Sequence, residues 1–576
     1  MKRRFFLLIL VILTLLNVSA QSNLKSGLLY LNDNQYHHAR NFFLGQLKTS
    51  PEDVRCYCLL GDSYLGLKLP DSAKLVYQKG LSLDPKSPFP LIGMGKIALL
   101  KGDHKGQIDF FEKARRTDRK NPEIYYEIVK GCLGLSKKDT ATGQIYLTQG
   151  IELDSKYAPL HVAFGDYETV GRRFGNATNA YERAIFFDGS NVLAYRKLGL
   201  SHIYSRSYRD AITAFTKSIE VNSDQILVYK NLGDLYYSVG KYAEAEKNYQ
   251  IYMSKAEINF DDKERYAIIL FFNKKFNESA RLLEEVLKQN SDESVLLRIR
   301  GYIAFETGEY QKGVAYMAKF FKLHDPEKII VSDYIYYGRL LQKCGNDTFA
   351  IENYKKALTR DSAKVEIYED LAKLYARNRM HIDAASAYKK MIANGADKVN
   401  TWFLTGKEYY FEGEVYRTKF DSLSKLLTER KIPFQDSVNI RETKRLYYHY
   451  ADSAFTMVTI LNPRYAGGFI WKGRINSLLD PEALTNIAKE SYEKASSILE
   501  SGDSNKNRRS LIECYKYLGS YYFLNGERFI KTDKKQSDSL RATSINYFRK
   551  ILKLDPNDAQ ALDVFRKLKI DLPGSH

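Results

Sequence analysis

A chain of 576 residues that is 44% hydrophobic and 27% charged lies outside the compositions that stay disordered, and it can hold either several domains or one extended array. A formal charge of +19 draws nucleic acid, anionic lipid or acidic partners only where Lys and Arg gather on one face. Here they are spread through the whole chain, which speaks for solvated surface charge and against nucleic acid as a partner.

The first element reads as an export signal over residues 1–20. Lys2, Arg3 and Arg4 form its basic start, Phe5 to Leu16 its apolar run, and Val18-Ser19-Ala20 a small-residue cleavage site, so the mature chain is expected to begin near Gln21. The run is shorter than the ~20 residues a membrane span needs. A Cys that could carry a lipid is replaced by Gln21, so membrane association is expected only through partners or an uncleaved signal. Loss of the leader's three basic residues still leaves a formal charge of +16.

From Gln21 onward a fixed period organises the chain. Gly27 and Gly61 lie 34 residues apart, as do Tyr30 and Tyr64, Ala39 and Ala73, Phe43 and Tyr77, and Pro51 and Pro85. Each copy runs aromatic, Leu-Gly, Tyr, small residue, aromatic, small residue, then Asp-Pro. The clearest carries Tyr229, Leu232, Gly233, Tyr236, Ala245, Tyr249 and Tyr252, and the one before it Tyr195, Leu198, Gly199, Ala211, Phe215 and Ser218. Gly165, Ala177, Tyr181 and Ala184 mark another, as do Gly338, Ala350, Tyr354 and Ala357, and Tyr368, Leu371, Tyr375, Ala384 and Tyr388.

This pattern resembles the tetratricopeptide repeat family. The resemblance implies an all-α fold, a right-handed superhelical solenoid of helix-turn-helix repeats, with about fourteen units between Gln21 and Pro556. Two antiparallel helices approach closely only where small residues meet, which assigns Gly233 and Ala245 to the contact and Tyr229 and Tyr249 to the spaces beside it. The copy around Tyr266 and Ala280 lacks the Leu-Gly pair, and the one around Gly301 has Gly313 and Met317 where Ala and an aromatic are usual, so the stack is expected to loosen or kink there.

The expected organisation is a leader over 1–20, a repeat array over 21–400, a repeat with a long insertion over 401–463, further repeats over 464–556, and a capping helix and tail over 557–576. The insertion, Glu414 to Tyr448, separates Trp402, Gly406 and Tyr409 from the late second helix marked by Ala451, Phe455, Val458 and Pro463. Phe420, Leu423, Leu426 and Leu427 sit at helical spacing before Pro433, which predicts helices protruding from the stack. A second insertion, Leu524 to Leu540, follows Tyr515, Leu518, Gly519 and Tyr522, and Ser501 to Ser510 reads as a polar linker. The cap is expected from Asp558 to about Leu568.

Motifs for chemistry are missing. The nine histidines show no zinc pattern, and Gly93-Met94-Gly95-Lys96 lacks the spacing of a phosphate loop, so Gly95 is read as a close-packing glycine. Cys56, Cys58, Cys132, Cys344 and Cys514 form neither a disulfide framework nor a redox pair and are expected as free, buried thiols. No Gly-x-Ser-x-Gly elbow or acid/base pair stands out. No catalytic residue, metal ligand or cofactor is assigned, and an enzyme is not expected.

The resemblance places first helices along a concave groove, which makes Arg196, Lys230, Asp234, Tyr237, Arg298, Phe305, Arg339, Tyr410 and Phe523 the candidate partner-binding residues. The carboxylate clamp known in the family is not carried over, because Asp234 stands where Lys230 would need Asn four residues on. The expected function is a non-catalytic scaffold of the bacterial periplasm or cell envelope that holds segments of other proteins in its groove. An exported glycan-binding protein is the alternative, but this chain has Gln21 in place of the lipidated Cys and few of the large loops that such proteins carry.

Overall fold

In the computed structural model of the chain, residues 24–289, 293–428, 434–503 and 505–568 are described. The expected leader lies outside them, as do Pro433 and the tail beyond residue 568. Among the described residues every regular element is a helix, and consecutive helices pack as antiparallel pairs. The chain divides into two compact units, Met1–Thr307 and Gly308–His576. The division falls between the helices Ser294–Glu306 and Tyr310–Leu323, in the degenerate copy around Gly301. It cuts through the stretch 21–400 that was expected to be one array.

Two local devices repeat along the chain. Within a pair the turn passes through a left-handed residue: Asn34, Lys68 and Gly102 are 34 apart, and Arg172, Arg206, Gly240, Lys274 and Gly308 continue at the same interval. That conformation lets the amides just past a first helix return to its last carbonyls, as Lys68 N does to Leu65 O at 3.0 Å and Leu69 N to Tyr64 O at 2.9 Å. After a second helix, an Asp or Asn side chain accepts from the amide two residues on. Lys86 to Asp84, Lys156 to Asp154, Ser190 to Asp188 and Asp224 to Asn222 are such turns. Asp, more than the Pro after it, is thus what ends the unit.

Packing inside a pair centres on one contact. A Cβ added to Gly61 would lie 2.2 Å from the Tyr77 ring, on Gly95 2.3 Å from Phe111, and on Gly233 2.4 Å from Tyr249. In each case the ring comes 16 residues later and fills the space the missing side chain leaves, so Gly95 is a packing glycine as expected. For Gly233 the Ala245 carbonyl oxygen is the next neighbour, at 3.3 Å, which bears out the assigned contact.

The same contact survives both insertions. In the second unit Gly406 meets Phe455, 49 residues on, and Gly519 meets Phe548, 29 residues on. The extra residues therefore lengthen both helices of a hairpin: Lys398–Thr428 pairs with Phe434–Leu461, and Arg508–Phe529 with Lys534–Leu554. The second helix of the first hairpin is continuous through Tyr448 into Leu461, so the protrusion grows out of the repeat core. The polar linker is shorter than expected, because Arg508 to Ser510 already belong to a helix. The closing helix spans Ala559–Leu568.

Cys56, Cys58, Cys132 and Cys514 are buried free thiols and Cys344 is partly exposed. Among the described residues no helix is long and apolar enough to cross a membrane.

Candidate interaction surface

In the first unit the first helices of successive pairs touch one another directly: Val54–Gly66 meets Pro88–Lys101, which meets Pro122–Gly134, which meets Ala158–Val170. They form its inner wall. The wall holds a cavity of about 700 Å³ with Leu31, Leu65, Leu100 and Leu135 among its apolar lining and Asp62, Lys68, Lys96 and Lys130 among its charges.

Asp62, Lys96 and Lys130 are paired within the wall. Lys96 donates to Asp62 at 2.8 Å, and the Tyr77 hydroxyl donates to the same oxygen at 2.7 Å. Arg55 bonds Glu123 at 2.8 Å and Glu127 at 3.3 Å, and Lys130 lies 3.6 Å from Glu127. Burial works to raise the Asp62 and Glu127 carboxyls, but Lys96 and Lys130 beside the first and Lys130 and Arg55 beside the second outweigh it. Both stay below the usual carboxylate range and remain ionised.

Pairs of this kind join first helices one repeat apart: Lys197 with Asp166, Lys230 with Asp262, and in the second unit Arg339 with Asp370 and Arg474 with Glu513. Sequence reasoning missed them, since each links residues about 31 to 39 positions apart with no fixed motif. It also missed a second use of the packing tyrosines. Tyr77, Tyr181 and Tyr249 each donate to the carboxylate that follows the packing glycine, Asp62, Asp166 and Asp234. The Gly-Asp pair with Tyr 15 residues after the Asp is the signal that would have found this.

The candidate residues fall into different surroundings. In the first unit Lys230, Asp234 and Tyr237 share one face of Ile226–Ser238. Lys230 pairs with Asp262, while Asp234 accepts from Tyr249 at 2.8 Å and lies 3.5 Å from Arg265. The Arg265 guanidinium sits 5.2 Å from the centre of the Tyr237 ring, which also meets Phe272 at 5.7 Å. These three form one cluster. Arg298 and Phe305 lie on Ser294–Glu306, both partly buried.

Arg196 stands apart from that cluster. It is 8% exposed, its Nη2 donates to the Asn32 carbonyl at 2.9 Å, and burial holds its pKa below the usual value. In the second unit Arg339 bonds Asp370 at 2.8 Å. Tyr410 packs edge-on against Trp471 at 5.3 Å and beside Tyr448, while Phe523 is partly buried on Arg508–Phe529.

The wall thus offers an apolar floor between charges of which Asp62, Lys96 and Lys130 already have partners, an arrangement suited to a neutral or mixed-charge polypeptide segment. No group of three or more His, Cys, Asp and Glu able to hold a metal ion occurs among the described residues. The buried thiols are held protonated: burial pushes Cys56, Cys132 and Cys514 up to about 12.

Comparison with known proteins places two stretches in family models described as tetratricopeptide repeat, residues 54–87 and residues 196–256. No curated protein matches the chain. Among solved structures, the C-terminal part of a TPR repeat-containing protein from Cytophaga hutchinsonii is similar at 24% identity, covering 53% of this chain and 98% of that one, with a TM-score of 0.36. A tetratricopeptide repeat protein from Parabacteroides merdae is similar at 17% identity over 50% of this chain and 98% of that one, TM-score 0.27. YrrB, described as a TPR protein with an unusual peptide-binding site, is 21% identical over 32% of this chain and 95% of that one, TM-score 0.21. Scores this low speak for neither site nor partner.

Proposed function

Because this chain is a tetratricopeptide-repeat protein, we propose that it works as a non-catalytic scaffold of the bacterial periplasm or cell envelope, holding segments of partner proteins against the inner walls of its units. The supporting observation is the inner wall of the first unit, where a cavity of about 700 Å³ has an apolar floor bordered by Lys68, Lys96 and Lys130. A polypeptide segment buries its side chains on such a floor while its backbone dipoles meet the bordering charges. The affinity comes from many modest contacts, so no single residue is expected to abolish binding.

A photoreactive phenylalanine analogue tests this in the native host. Placed at Ser136, which is exposed and lines the cavity, it should yield discrete protein adducts. Placed at Phe186, 82% exposed on the second helix Phe174–Phe187, it should yield few. Adducts at Phe186 with none at Ser136 would move the partner to the outer face.

A further inference from the structure

In the first unit the chain returns to its own beginning. The turn of the first helical hairpin, residues 32–38, bonds to residues 164 to 222 positions later. The Ile226 amide donates to Asp33 at 2.8 Å, and Arg196 donates to the Asn32 carbonyl. The Glu257 amide likewise donates to the Gln35 side chain, and in the opposite sense the amides of His37 and His38 donate to the Glu257 carboxylate.

Two of these contacts exchange helix caps. Tyr36–Thr49 starts at Gln35 and Ile226–Ser238 at Gln225, and neither start has a side-chain cap of its own. The first turn of a helix leaves amides that need an acceptor. Glu257 supplies one to the first helix and Asp33 to the second, so each side of the seam completes a helix on the other.

The seam is built unlike the stack. Successive repeats share apolar cores, and the first hairpin joins the next pair through Ala39, Phe43, Cys56, Leu59 and Leu60. Ile226, Tyr229, Tyr252 and Ile269 pack in a separate cluster. Between the two sides lies a cavity of about 570 Å³, lined in part by Tyr30, Asn41, Phe42, Ile226 and Lys255. Asp33 is 1% exposed, and its Oδ1, the Arg196 Nε and the Gln225 Nε2 meet no protein partner. Charges taken out of water and incompletely bonded make a closure that holds by little.

We propose that this seam is a latch on the inner wall: the borrowed caps from Asp33 and Glu257 keep the first unit closed, and their release lets a partner segment reach the wall. The first hairpin connects the two, because Leu31, Asn32 and Tyr36 line the inner cavity while Asn32 and Asp33 hold the seam. The latch rests on the groove reading above, since it regulates access to that surface.

The test uses the full chain with Cys344→Ser as background. Nitroxides at Asn41→Cys and Lys255→Cys, across the seam cavity, should give one short, narrow distance by pulsed electron resonance. Asp33→Ala with Glu257→Ala should lengthen and broaden it. Asp53→Ala, which removes the cap that Asp53 gives to the start of its own helix Val54–Gly66, should leave it unchanged. In parallel, Lys130→Cys on the inner wall should react with a bulky maleimide roughly tenfold faster once both caps are lost.

An unchanged distance in the double variant overturns the latch, and a longer distance with unchanged labelling overturns its role as a gate. If the double variant does not fold by circular dichroism, Glu257→Gln must show partial lengthening, and its absence also overturns the latch. Failure of the groove reading would appear separately, as loss of adducts at Ser136.

Discussion

Tyr77, Tyr181 and Tyr249 each fill the space over a glycine with the ring and donate a hydrogen bond to a carboxylate with the hydroxyl. Gly233→Ala should therefore destabilise the protein by about 1–3 kcal/mol despite the better helix propensity of Ala, because the new methyl meets the Tyr249 ring and the Ala245 carbonyl. Thermal unfolding measures it. The left-handed turn residues work in the other direction. Arg206 has φ 60° where Gly102 and Gly240 occupy the same place in other repeats. Arg206→Gly should stabilise by about 0.5–1 kcal/mol, the relief of strain less the added freedom of the unfolded chain, read from chemical denaturation.

Asp33 makes a pH prediction. Burial raises its carboxyl from 3.8 to about 6, with Arg196 opposing. The folded state then holds a proton that the unfolded state has released, so stability from this group is fully present below about 4 and is lost as pH rises through 6. The loss is on the order of 2–3 kcal/mol. Denaturation midpoints measured from pH 4 to 7 should show that decline, and Asp33→Asn should flatten it.

At the scale of elements, the two insertions lengthen hairpins without disturbing the contacts at their bases. Tyr448 is buried with Ala451, Phe455 and Val458, fills the space over Gly413 and donates to Glu414. A deletion that spares the core must therefore stop short of it. Removing residues 417–445 and bridging Tyr416 to Leu446 with a short glycine linker should leave the melting temperature within a few degrees of wild type. Partner capture from the native host should fall if the protrusion binds, and an unchanged yield would confine binding to the repeats. The protrusion was legible because Gly406 and Phe455 are recognisable landmarks whose separation had grown. Its continuity with the core was not, since apolar spacing at 420–427 shows a helix but not where that helix is anchored.

At the scale of the whole molecule, export is the expectation that bears on where the protein meets its partners, and N-terminal sequencing of protein from the native host checks it. A start near Gln21 is expected; an intact Met1 on soluble cytoplasmic protein would refute it. The sequence by itself determined the repeat, the helix pairs and the packing glycines. Each of these is written within one 34-residue unit, where a glycine and its ring are 16 positions apart. Only the tertiary structure decided that Arg196 is buried at a seam, that the first helices neutralise one another's charges, and that residues 33 and 257 cap helices they do not belong to. These contacts arise when small rotations between successive repeats add up until distant parts of the chain meet, and a sum over seven repeats leaves no mark on any one of them.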